Sequence, residues 1–174
     1  MSELIHRNLG PSTVTWDPDG TPIDLNPTHG GVIFRYSEAK AEIHEDQKGI
    51  SVTNRVTVGC DLCELDVPMS NSSITQLLKA FANATPGANT LIVKNAVGQE
   101  VFSLAKEICV KPIRNGVVSV DVNEWLHIFR TYPKVNLEWP FDNSTQRVTK
   151  VVFEGYPDDY STRVGYYWRM GPAL

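Results

Sequence analysis

Residues 31–67 read GVIFRYSEAKAEIHE, then DQKGI, then SVTNRVTVGCDLCELDV, which are two strand-like arms joined by a polar tip at 46–50. Apolar and polar residues alternate along both arms, and a period of two predicts strands with one dry and one wet face. At roughly 3.3 Å per residue, arms of about fifteen residues span on the order of 50 Å. Typical strands have only about 5–6 residues. We therefore expect material outside this subunit to cover part of the hairpin, which indicates assembly rather than catalysis.

The alternation changes phase once on each arm. Around Ser37 the apolar positions move from even to odd numbers, and a second change falls between Leu62 and Cys63. Such a slip predicts a β-bulge, where one extra residue bends a strand. The second slip also lets Cys60 and Cys63 face the same core side.

The amino-acid composition limits which classes of function are possible. The chain has 174 residues, 41% of them hydrophobic, which is enough for one domain with a core. Twenty acidic and sixteen basic residues give a net charge of −4, which argues against a non-specific nucleic-acid binder. No apolar run approaches the roughly 20 residues that span a bilayer, so we expect no membrane partner. The first residues lack a signal-peptide core, so we expect synthesis in the cytoplasm.

The remaining pattern predicts a mainly β fold. We expect a single domain over residues 1–174, an antiparallel β sandwich or barrel with one flanking α-helix, an extended N-terminal arm at 1–11 and a protruding hairpin at 38–58. For the helix, Ser73 and Gln76 have capping-box spacing, and Ile74, Leu77, Leu78 and Phe81 form its apolar stripe. Further expectations are a strand ended by Pro68, a strand from Phe102 to Val110, a turn at Asn115-Gly116, a strand over Val118–Val122, and a closing pair formed by 147–155 and 163–170.

Two constellations offer chemistry, each with a plainer alternative. Cys60-x-x-Cys63 has the spacing of half a zinc site, but no His-x(3–5)-His pair completes it, so we interpret both as reduced packing thiols. Asp158 and Asp159 suit an acid–base pair or a calcium site, but a solvated turn is the simpler interpretation. We predict no catalytic, cofactor or metal site, although a triad assembled from distant segments stays open at this point.

The order of elements resembles the major tail tube protein of long-tailed bacteriophages. The matching residues are Gly10-Pro11-Ser12-Thr13-Val14-Thr15-Trp16-Asp17, Gly30-Gly31-Val32-Ile33-Phe34, the run from Glu42 to Asp46, Arg55-Val56-Thr57-Val58, Ser73-Ile74-Thr75-Gln76-Leu77-Leu78 and Val148 to Phe153. Cys60, Cys63 and residues 117–132 have no counterpart in that pattern. The resemblance implies a sandwich flanked by a helix, six copies in a ring, and inner strands joined into one barrel. It also implies stacked rings linked by the hairpin and the N-terminal arm, which conduct the genome.

That resemblance gives the hairpin a role. We predict that its outward residues lie between subunits or face the lumen: Glu38, Lys40, Glu42, His44, Glu45, Asp46, Gln47 and Lys48. An acidic lining there keeps passing duplex DNA from adhering, whereas the plain alternative is a solvated strand face. Expected partners are other copies, the tape measure, terminator and distal tail proteins, and DNA in passage, all in the virion tail. Alternatives are a tube protein of a contractile tail or injection device, a virion decoration or adhesion sandwich, and an enzyme.

Overall fold

The period-two segments form strands in the computed structural model, which describes residues 5–8, 10–25, 31–44, 52–79, 84–86, 91–93, 97–98, 100–135 and 148–172. The strands are β1 (Ile5–Asn8), β2 (Ser12–Trp16), β3 (Ile23–Asp24), β4 (Ile33–His44), β5 (Val52–Ser70), β6 (Ala84–Pro86), β7 (Leu91–Val93), β8 (Lys106–Arg114), β9 (Val117–Val118), β10 (Leu126–Val135), β11 (Val148–Tyr156) and β12 (Trp168–Met170), and the helix is α1 (Asn71–Lys79).

All pairings are antiparallel, so the predicted mainly β, antiparallel fold is confirmed. The main sheet follows the order β1-β4-β5-β11-β10-β8-β2-β3, with β12 beside β10 and β9 beside β8, and β6 and β7 form a separate pair. The sheet ends at β1 and β3 without closing on itself among the described residues, which gives a sandwich-like architecture. No described helix is long and apolar enough to cross a membrane.

The core lies on one face of this sheet. Fully buried side chains from neighbouring strands meet there, among them Phe34, Leu65 and Phe153. On α1, the apolar stripe that the sequence predicted is buried against the same core through Ile74 and Leu77. Burying a side chain of this size stabilises the fold by about 1.5–3 kcal/mol, so these residues contribute strongly to the stability of the sheet.

Of the two predicted bulges, the one on the second arm is present and the one on the first arm is wrong. Strand β4 contains no extra residue, so its apolar positions beyond Ser37 lie on the opposite face of the strand. On β5, Ser37 pairs with Leu62 but Glu38 pairs with Cys60, so Asp61 is an extra residue, one position before the slip predicted there. Because of it, Cys60 and Cys63 both pack against the core, as expected.

Two predictions about the helix entrance are wrong. The helix begins at Asn71, so Ser73 lies inside it and is not its N-cap. Strand β5 does not end at Pro68, which pairs with Lys150 of β11. Strand β4 pairs with β5 only as far as Asp66, so at Pro68 the one described strand neighbour of β5 is β11. Sheets tolerate proline where one side of a strand is unpaired, because proline has no N–H to donate. Phe81 lies outside the described residues.

Local turn chemistry overrides two predicted strands. Residues Phe102–Leu104 form a 3-10 turn, and the strand begins only at Lys106. In the expected strand over Val118–Val122, only β9 forms; the Asp121 carboxylate then accepts the Asn123 N–H at 3.0 Å and starts a second 3-10 turn.

The Asn115-Gly116 turn is confirmed, with φ of 52° and 78° at these residues. The closing pair of 147–155 with 163–170 is wrong. Strand β12 pairs with β10 instead, because β5 and β10 already occupy the two edges of β11. Of the N-terminal arm predicted over 1–11, Ile5–Asn8 lies in β1, paired with β4.

Candidate assembly surface

The outer half of the long hairpin, residues 40–44 and 52–58, is called the distal hairpin here. Its strands pair with each other, yet every side chain described in it, at 40–43 and 54–58, is exposed. By contrast, Phe34 and Leu65 lower on the same two strands are fully buried. The distal hairpin therefore extends beyond the core that holds its base.

The distal hairpin has one apolar and one polar face. Ala41 pairs with Val56, and Ile43 follows two residues later on the same face. Exposed fractions are 42% for Ile43 and 46% for Val56. Val58, the extra residue of a bulge at the base of this ribbon, is 65% exposed. Exposed valine and isoleucine side chains that share one face of a projecting ribbon are typical of interaction sites.

The apolar face lies on the side of β4 that faces away from the core. Both neighbouring bulges add residues to β5, so β4 keeps its alternation without interruption. Phe34 and Tyr36 face the core, and Lys40 and Glu42 continue on that same side. Ala41 and Ile43 consequently lie on the other side. The subunit's own core is therefore on the wrong side of the strand to cover them.

The predicted site residues fall into two groups. Glu38 is half-buried beside Cys60 and Tyr36. Burial raises the pKa of Tyr36, and the nearby Cys60 and Glu38 charges raise it further. Lys40 and Glu42 are exposed on the polar face. His44 ends β4. The others, Glu45, Asp46, Gln47 and Lys48, lie outside the described residues.

Arg55 is a member of the polar face that sequence analysis missed. Its guanidinium Nε and NH2 donate to Glu42 Oε1 at 3.1 and 2.9 Å across the two strands. Glu38, Lys40, Glu42 and Arg55 together carry two negative and two positive charges. The described part of this face is thus balanced rather than acidic. The pairing of Glu42 with Arg55 depends on the bulge-shifted register of β4 with β5, which the sequence pattern does not show.

The outer edge of β4 is also open over much of its length. Strand β1 pairs with β4 only from Ile33 to Tyr36. From Ser37 onward, β5 is the one strand neighbour of β4 among the described residues. An edge strand of this length is a template on which another chain can add a strand. The open edge and the apolar face thus lie on the same projecting element.

The Cys60-x-x-Cys63 pair consists of free thiols packed on the core. Burial raises the pKa of Cys63 from its ordinary value of 9.0 to about 12, and burial also raises the pKa of Cys60. Among the residues described, no three His, Cys, Asp or Glu side chains are grouped to hold a metal ion. Protonated, core-facing thiols act as small apolar side chains.

A Cys–His–Glu constellation links β8 and β10, and sequence analysis did not identify its members. His127 Nδ1 lies 2.7 Å from Glu107 Oε1, and His127 Nε2 lies 3.8 Å from Cys109 Sγ. Cys109 and His127 are direct cross-strand partners, so only the pairing of the two strands reveals them. Cys109 and His127 are buried, and burial raises the pKa of Cys109 to about 11. A buried thiol that holds its proton this tightly is a poor nucleophile.

Asp158 corrects the interpretation of the Asp158-Asp159 turn as solvated. Its side chain is only 2% exposed, whereas that of Asp159 is 58% exposed. Asp158 Oδ1 accepts from Arg130 Nε at 3.3 Å, and Oδ2 lies 2.9 Å from Arg163 Nε. The contact between Asp158 Oδ2 and Arg163 Nε is an ion pair whose geometry is not that of a hydrogen bond. Asp158 thus fixes the loop that follows β11 to the sheet.

The buried thiols predict a loss of stability in alkali. Between pH 9 and about 11, thiols of the unfolded chain lose their protons while Cys63 and Cys109 keep theirs in the fold. Because the folded pKa values are the higher ones, the free energy of unfolding falls as pH rises through this window. Urea unfolding at pH 8, 9, 10 and 11 measures the slope. A variant with Cys63→Ala and Cys109→Ala serves as the control and should show a shallower slope; equal slopes would contradict the prediction.

The chain matches no known family model, no curated protein and no solved structure. A sandwich-like architecture alone does not specify function, because unrelated functions share it. The distal hairpin is the described feature whose exposure has the clearest functional meaning, so the function is inferred from it.

Proposed function

We propose that this protein is a structural virion subunit that assembles into stacked, hexameric rings of a bacteriophage tail tube, the conduit for genome delivery. The observation that carries the proposal is the apolar face of the distal hairpin, exposed on the side of β4 away from the core. A second copy is the natural cover, since identical subunits supply the same complementary surfaces around a closed ring.

Each such contact contributes a modest free energy. Ile43 and Val56 are 42% and 46% exposed, so covering the exposed part of each against a neighbour contributes about 1 kcal/mol per side chain. In a ring, each copy both offers a hairpin and receives one, so every subunit has this contact. Repetition of a modest contact around a ring and along a stack gives a stable tube without one large interface.

The open edges of the sheet support the same proposal. The main sheet ends at β1 and β3, and β4 is open from Ser37 onward among the described residues. Strand addition between neighbours joins such sheets into a larger barrel and removes their edges. This matches what the tail-tube resemblance implies for inner strands that form one continuous barrel.

DNA passage needs a wall to which phosphate does not adhere. The chain has a net charge of −4, and the described polar face of the hairpin is balanced by Arg55. Neither offers the basic surface that DNA binding requires. The proposal assigns duplex DNA as a transient passenger, other copies as the main partners, and tape measure, terminator and distal tail proteins as partners in the virion tail.

The alternatives differ in assembly. A decoration or adhesion sandwich is a monomer or trimer with a compact turn over residues 40–51, whereas here paired strands continue to His44 and from Val52. A tube protein of a contractile tail or injection device forms the same rings but binds a sheath on its outside. Addition of sheath protein to preformed tubes distinguishes that case.

Shortening the hairpin is the direct test. Replacing residues 41–56 with a two-residue turn removes the exposed side chains of Ile43 and Val56, so it should abolish polymerisation. The subunit should still fold, because no described core side chain lies in that segment. Negative-stain electron microscopy of the parent protein should show rings or hollow tubes, and the shortened variant should show none. Circular dichroism of both proteins confirms that the sheet is retained. Tubes of normal length from the shortened variant would refute the assembly role.

A further inference from the structure

Two bulges bracket one glycine at the base of the distal hairpin. The ladder between β4 and β5 shifts register between Ser37 and Glu38 and again between Ala39 and Lys40. The extra residues on β5 are Asp61 and Val58, and Gly59 lies between them. A bulge interrupts the hydrogen-bond ladder and bends its strand, so two bulges three residues apart make this the most irregular part of the described hairpin.

Two rungs lie between the bulges, Glu38–Cys60 and Ala39–Gly59, and the second has the smaller side chains. Gly59 pairs with Ala39, so neither strand contributes a side chain larger than a methyl group. A Cβ placed on Gly59 would find no atom within 4 Å, and its φ of 158° is one that side-chain-bearing residues rarely adopt. Below this rung, Cys60 packs on the core; above it, every described side chain is exposed.

We propose that the Ala39–Gly59 rung is a pivot that allows the distal hairpin to change its angle to the sandwich, and that contact with a neighbouring copy fixes that angle. The second clause rests on the proposed function; the pivot itself does not. A two-stranded ribbon without packing on either face is marginally stable, and regions with few buried contacts move most readily. The pivot brings the apolar face against whichever surface the neighbour presents.

Distances between spin labels measure the angle directly. One pair joins Asn54→Cys on the hairpin to Ser103→Cys on the sandwich, and a control pair joins Ser103→Cys to Thr162→Cys, both on the sandwich. Cys60→Ser removes the half-buried native thiol, while Cys63 and Cys109 are buried. In dilute monomer, pulsed paramagnetic resonance should give a hairpin-to-sandwich distribution about twice as wide as the control pair. In assembled tubes it should narrow to the control width.

A glycine replacement supplies a second test in the monomer. Gly59→Ala should move the centre of the hairpin distance distribution, because its φ becomes strained while the space around it is open. A 20° change at the pivot moves residue 54 by about 6 Å, at roughly 3.3 Å per residue. Gly116→Ala is the matched control, since Gly116 has a φ of +78°, open space around it and a place in another exposed hairpin. Gly116→Ala should leave the hairpin-to-sandwich distance distribution unchanged.

The outcomes separate the two proposals. A monomer distribution as narrow as the control pair, or one that Gly59→Ala leaves unmoved, overturns the pivot. A distribution that stays wide in tubes overturns the claim that the neighbour fixes the angle. If the monomer distribution is wide but no tubes form under any condition, the pivot stands and the tail-tube function fails.

Discussion

Val56→Asp should prevent tube formation while leaving the subunit folded. Val56 is 46% exposed in the single chain, so an aspartate there stays hydrated and should change the free energy of unfolding by less than about 0.5 kcal/mol. Covered by a neighbour, the same carboxylate would lose its water without gaining a partner, which costs several kcal/mol. We expect no tubes even at about 100-fold higher protein concentration, as measured by sedimentation and negative-stain microscopy.

Thr57→Asp is the matched control for this variant. Thr57 is also exposed, lies next to Val56 and faces the opposite, polar side of the ribbon, where it pairs with Lys40. A carboxylate beside Lys40 is electrostatically acceptable, so tubes should form as in the parent protein. If Thr57→Asp blocks assembly as strongly as Val56→Asp does, the apolar face has no special role. Normal tubes from Val56→Asp would exclude that face as an interface.

Asp158→Asn should destabilise the fold more than any surface substitution described here. The buried Asp158 carboxylate lies against Arg130 and Arg163, and its Oδ1 also accepts the Tyr160 N–H at 3.2 Å. The substitution removes a buried charge that pairs with both arginines, but Arg130 keeps Asp159 and Arg163 keeps Glu107 as partners, so the loss should be about 1.5–3 kcal/mol. At roughly 2–4 °C per kcal/mol for a chain of this size, Tm should fall by about 6 °C.

Asp159→Asn is the control for that experiment. Asp159 is the next residue and also pairs with Arg130, but its side chain is largely exposed. Exposed pairs contribute about 0–1 kcal/mol, so Tm should change by no more than a few degrees. Calorimetry of both variants tests the difference. Equal losses at the two positions would show that burial of Asp158 is not what holds the loop.

Sequence patterns predicted the elements whose cause is local. The alternation of residues 31–45 gives a strand because successive side chains point to opposite faces. Asn115-Gly116 gives a turn because both residues tolerate a positive φ. The slip predicted between Leu62 and Cys63 indicated a bulge that the structure places at Asp61 on the same strand. In each case a few neighbouring residues fix the conformation.

Sequence patterns did not predict the features that depend on residues distant in the chain. The burial of Asp158 depends on Arg130, which is 28 positions away and on another strand. The pairing of β12 with β10 depends on β11 having both edges occupied. The contact of Cys109 with His127 likewise requires the β8–β10 register. The long hairpin was predicted because its length and alternation are local, while its exposed apolar face at Ile43 and Val56 and the charge balance from Arg55 were missed.

The irregular register of β5 also disfavours indiscriminate association of the exposed ribbon. A long, flat, regular ribbon with one apolar face and an open edge is prone to indiscriminate stacking into amyloid-like fibrils. Extra residues at Val58 and Asp61 twist the ribbon and break the even spacing that such fibrils need. Deleting those two residues would make the ribbon more regular, and we expect the purified variant to aggregate more readily than the parent protein.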